Sequence, residues 1–116
     1  MPLVLMLLVL VFATACSNES KSKYVFESKG AVQCEHTGMT PNESAQNLID
    51  SDIEVISAFC ALDTRTDNIT VCGAGTSEII VHEIENEDML EVEELGLENL
   101  DVLDGNYSET ECSEDN

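Results

Sequence analysis

Residues 40–60 read TPNESAQNLIDSDIEVISAFC, and the spacing of their apolar side chains changes partway along. Thr40 can cap a helix, Pro41 suits the first helical position with its fixed φ, and Glu43 completes a capping box. Ala45, Leu48 and Ile49 then fall on one face at helical spacing, and the helix should stop near Asp50-Ser51-Asp52. From residue 53 the pattern is different. Ile53, Val55, Ile56, Ala58, Phe59 and Cys60 make a β-rich, largely buried run. A short helix that feeds a strand through three polar residues points to an α+β fold.

The flanks carry more strands. Tyr24-Val25-Phe26-Glu27-Ser28 and Ala31-Val32-Gln33-Cys34-Glu35 are strand-like, with a tight turn at Lys29-Gly30. Downstream, residues 63–67 read as a polar turn, 69–72 as a strand and 73–77 as a glycine-rich turn. Residues 78–84 form a strand with Ile79, Val81 and Glu83 on one face. Asn86 is placed to cap a second helix from Glu87, whose acids suit the positive N-terminal end, and Gly96 suits its stop. The order predicts a small single α+β domain over residues 24–104. Its core is a mostly antiparallel sheet of four to five short strands, with two helices on one face. Residues 105–116 read as a polar, acidic tail unless Cys112 ties it down.

Residues 2–15, PLVLMLLVLVFATA, carry no charged side chain. A spanning helix needs about 20 apolar residues, so this shorter run has the length of a signal-peptide core. Residues 1–15 are expected to be a cleaved signal peptide. Ala13-Thr14-Ala15 fits the small-x-small rule of ordinary signal peptidase. Phe12-Ala13-Thr14-Ala15-Cys16 also resembles the lipobox of bacterial lipoproteins, with Ala13 where Leu is commonest. The resemblance covers the leader alone. It implies that Cys16 is acylated, with palmitate among its chains, and that residues 16–23 are the lipid-bearing cysteine and a polar tether. Ser17 then implies bacterial outer-membrane or periplasmic placement rather than inner-membrane retention. A freely secreted, extracellular chain is the alternative, and in a eukaryote Asn18, Asn42, Asn68 and Asn106 would be glycan acceptors. Residues 71–84, VCGAGTSEIIVHEI, are similar to a segment of small exported bacterial proteins, a resemblance that implies no activity.

The chain has 24 acidic and 4 basic residues, a net charge of −20. Fifteen of the acids lie from Glu78 onward, and no Lys or Arg follows Arg65. Such a field repels phosphate backbones and anionic membranes, which excludes nucleic-acid binding and leaves the lipid anchor as the only membrane contact. It favours a cationic partner. With few aromatics, the core must be built from Val, Ile, Leu and Ala, and a domain this small often needs covalent staples. Cys34, Cys60, Cys72 and Cys112 supply them, because disulfides are the default in an exported chain. Their spacing contains no CxxC and no zinc-type pair. Four cysteines allow three connectivities, of which Cys34–Cys60 or Cys34–Cys72 looks geometrically easier.

No catalytic pattern is complete. Gly73-Ala74-Gly75-Thr76-Ser77 lacks the phosphate-loop lysine and precedes a strand, so it reads as a turn. No GxSxG elbow surrounds Ser77. Cys34-Glu35-His36 and His82-Glu83-Ile84-Glu85 have no known ligand spacing, so the histidines read as surface residues. Residues 101–111 lack the spacing of a calcium loop. No catalytic residue, metal or cofactor is expected. The function that follows is a non-enzymatic, exported binding module. The alternatives are a small secreted metal-dependent hydrolase using His36 or His82, or a secreted acidic inhibitor or glycoprotein.

Overall fold

The structure, a computed structural model, describes residues 21–65 and 71–113. The leader, Cys16, the tether up to residue 20, and the sequons at Asn18 and Asn68 lie outside the described residues, as does the first half of the expected strand 69–72. The rest is a small α+β domain with a five-stranded antiparallel sheet. In chain order its elements are β1 (Ser22–Ser28), α1 (Pro41–Ile49), β2 (Val55–Asp63), β3 (Glu78–Glu85), α2 (Met89–Glu94), β4 (Glu98–Asn99) and β5 (Tyr107–Thr110). Two short 3-10 turns, Asn86–Asp88 and Leu100–Leu103, join the later elements. The strand order is β4-β1-β3-β2-β5.

The capping signal at Thr40 acts as its residue types predict. Its side chain accepts from the Glu43 amide at 3.1 Å, and Pro41 opens the helix. β3 is central, so both of its faces are covered, and Ile79, Ile80, Val81, His82 and Ile84 are all buried. Register divides these side chains between two layers. Val25 pairs with His82 and Glu27 with Ile80, whereas Phe26 pairs with Val81. On the helical face Val25 and Ile84 pack with Leu48 of α1, Val92 of α2, Ile53 and Leu97. On the other face Phe26, Ala61, Ile79 and Val81 pack with Leu100 and Leu103.

Several local expectations are corrected. Residues 31–35 do not form a strand: Cys34 takes a positive φ of 67°, which breaks an extended run. The segment doubles back instead, with Val32 bridged to His36 and to Gly75. Main-chain bonds from Gln33 to Ala74 and from Gly73 to Gln33 zip it to the stretch before β3, making an arm. Val71 and Cys72 belong to this arm and not to a strand. Asn86 opens a 3-10 turn, not an α-helix, and the N-cap of the α-helix that follows is Asp88. The segment after residue 104 joins the sheet as β5, beside β2.

Candidate functional site

Both disulfides bind distant segments. Cys34 joins Cys72 across the tip of the arm, and Cys60 joins Cys112 behind β5. The first lies on exposed residues, while Cys60 is only 2 % exposed.

His82 is not a surface residue; it is fully buried. Even-numbered positions of β3 face α1, and there its Nε2 lies 2.7 Å from the Ser44 hydroxyl. Ser44 in turn donates a short hydrogen bond to the Glu27 carboxylate. A serine, a histidine and an acid are thus in line, but the order is wrong for a nucleophile. The serine has one proton, and the carboxylate can only accept it. His82 Nε2–H must therefore donate to Ser44, so the imidazole cannot act as its base. Burial pushes the histidine pKa down to about 4, which keeps the ring neutral, and Nδ1 has no hydrogen-bond partner. This set is a polar bolt that holds α1 on the sheet.

His36 stands exposed on the arm, in a setting unrelated to that of His82. Glu83, the neighbour of His82, points to the opposite face and accepts from Ser22 at 2.6 Å and Ser57 at 3.2 Å. Among the described residues no three His, Cys, Asp or Glu side chains are placed to hold a metal ion.

Lys29, read as part of a turn, is 1 % exposed. Its ammonium donates to the carbonyls of Thr37 and Ser113 and lies 3.8 Å from Glu78 Oε2. Gly38 makes this possible. It has a φ of +77°, and a Cβ there would stand 2.2 Å from the Lys29 carbonyl oxygen. Ser113 also donates to Glu78 Oε1 at 2.7 Å. A cleft of about 330 Å³ opens beside this cluster, lined by Glu35, His36, Thr37, Glu78 and Ser113 among others.

A second groove, of about 430 Å³, lies between the end of α2 and the turn after β4, lined by Glu93, Gly96, Leu97, Glu98, Asn99 and Val102. The stretch from residue 85 to residue 104, which forms it, holds nine carboxylates and no basic residue. Arg65, whose field reaches Glu98, is committed elsewhere: its Nε and Nη2 donate to Asp63. The guanidinium holds the Asp63 carboxyl below the usual carboxylate range.

Comparison with family models, with curated proteins and with solved structures gives no match to this chain.

Proposed function

We propose that this chain is an exported protein, anchored through acyl chains on Cys16, that serves as a non-enzymatic interaction module at a cell envelope. The observation that carries this reading is the pair of disulfides, Cys34–Cys72 and Cys60–Cys112. Such bonds form and persist in oxidising compartments. A leader over residues 1–15, a lipobox-like junction and a polar tether agree with that placement. More than one acyl chain on Cys16 would give stable membrane attachment where one alone is marginal.

The wiring of Glu27, Ser44 and His82 supports a binding role over a hydrolytic one, because the serine hydroxyl is buried and its proton is engaged. The charge of −20 points to a basic protein as partner rather than a nucleic acid.

Expression of the full chain in a bacterium with labelled palmitate tests the anchor. The wild type should enter the membrane fraction labelled, and Cys16→Ser should lose both properties. A soluble, unlabelled wild type sinks the lipoprotein reading. A fluorophosphonate probe should leave Ser44 unlabelled, and labelling there would reveal a nucleophilic serine and count against the non-enzymatic reading.

A further inference from the structure

We infer that the groove between α2 and the turn after β4 is a docking surface for a basic, amphipathic segment of another protein. This rests on the interaction-module reading and gives it a site and a partner chemistry. Leu97, 5 % exposed, lies at the base of the groove, and Val102, 54 % exposed, stands on its wall. Leu90 is 76 % exposed, the highest value among the large apolar side chains of the described residues. It precedes the groove residue Glu93 by three positions, so both lie on one side of α2. Gly96 leaves the mouth open, since a Cβ there would meet nothing within 4 Å.

Charge selects the occupant. Glu93 and Glu98 line the groove, and Glu91, Glu94 and Asp101 follow on the same exposed segments. The chain's own cations do not answer them. Lys29 is buried against Glu78 and Arg65 is bound to Asp63, and among the described residues neither Lys21 nor Lys23, at the start of the β1 strand next to β4, forms an ion pair with a groove carboxylate. A second copy would bring another −20 and would be repelled. A simple cation would satisfy the carboxylates but leave Leu90 and Val102 in water. A peptide with Lys or Arg flanking apolar side chains satisfies both, laying its apolar face between carboxylate rims.

The test uses the chain purified with both disulfides formed, and fluorescence polarisation of two labelled peptides of equal charge. One is an amphipathic Lys/Leu helix, the other the same length in Lys/Ser. The Lys/Leu peptide should bind at least tenfold more tightly. Leu90→Ser and Val102→Ser, at exposed positions that leave the fold intact, should each weaken it severalfold. Glu93→Gln with Glu98→Gln should flatten the salt dependence, while Glu43→Gln with Asp52→Asn, on the α1 side, should not. Equal binding of both peptides, or equal loss from the α1-side variants, would show a diffuse polyanion and overturn the inference. So would concentration-dependent self-association abolished by Val102→Ser. Tight binding that survives Leu90→Ser and Val102→Ser overturns this site yet leaves the module reading standing; that reading stands or falls on the fractionation and probe experiments.

Discussion

The ammonium of Lys29 donates a 2.8 Å hydrogen bond to the main-chain carbonyl of Ser113, a residue 84 positions away. That bond, the bond to the Thr37 carbonyl and the ion pair with Glu78 fasten the end of β1, the following loop and the C-terminal segment at one point. Removing the cation leaves two carbonyls without their buried donor and the Glu78 carboxylate without its counter-charge. Lys29→Met, which keeps most of the apolar stem, should therefore cost about 3 kcal/mol in urea unfolding, the scale of a broken buried pair. Adding Glu78→Leu should recover part of the loss. A cost below about 1 kcal/mol for Lys29→Met would show that the clasp contributes little.

The buried imidazole of His82 gives the fold a pH dependence of known sign. Its pKa falls from 6.5 to about 4 on burial. Between those values the unfolded chain takes up a proton that the folded chain refuses. The contribution to stability is complete above pH 6.5 and is lost as pH falls toward about 4, reaching about 3 kcal/mol. Carboxylates titrate at the lower end of this window, so the reference is His82→Leu, which removes the proton site but fills the space. The difference in unfolding free energy between the two proteins should change by that amount between pH 7 and 4. Parallel curves would mean the ring is accessible to protons when folded.

What was legible in the sequence is what is set locally. Thr40, Pro41 and Glu43 mark the start of α1 within one turn of chain, and the apolar run around Ile79 to Ile84 marks a strand. What was not legible depends on partners far along the chain. Tyr107–Thr110 is polar and acidic, and becomes a strand because it lies beside β2 and is held by Cys112. Lys29 gives no local sign of burial, since its hydrogen-bond acceptors are carbonyls of Thr37 and Ser113, and any residue has a carbonyl. His82 could have been recognised: it alternates with Ile80 and Ile84, and a strand with apolar residues on both faces is central.

The two disulfides should differ in reactivity and consequence. Cys34 and Cys72 are exposed at the tip of the arm, so a soluble phosphine reaches that bond first. Cys60, 2 % exposed, shields the other. Graded reduction followed by alkylation and mass mapping should find Cys34 and Cys72 modified before Cys60 and Cys112. Each bond closes a long loop, with sequence separations of 38 and 52, and should contribute about 3 to 4 kcal/mol. Cys112→Ser should also speed amide exchange in Tyr107–Thr110, because the bond anchors that edge strand; Cys34→Ser should leave it slow. Simultaneous reduction of both bonds would contradict the exposure argument.

Self-repulsion should be concentrated at α2. Residues 87–95 hold five carboxylates in nine positions, and no basic residue is spaced to pair with them along the helix. Only Val92 of α2 is buried, so few apolar contacts oppose fraying there. Salt screens such exposed charges, because the Debye length falls from about 30 Å at 0.01 M to about 8 Å at 0.15 M. The Tm should therefore be clearly higher in 0.5 M NaCl than in 10 mM buffer, and amide exchange should slow most in Met89–Glu94. Replacing Glu91 and Glu94 by Gln should raise the Tm in low salt and shrink its salt dependence. Calcium chloride at matched ionic strength separates screening from site binding. The described residues place no three ligands together, so the two salts should act alike. Extra stabilisation by calcium would instead require carboxylates that converge on an ion in solution, and would move attention from the groove to that cluster.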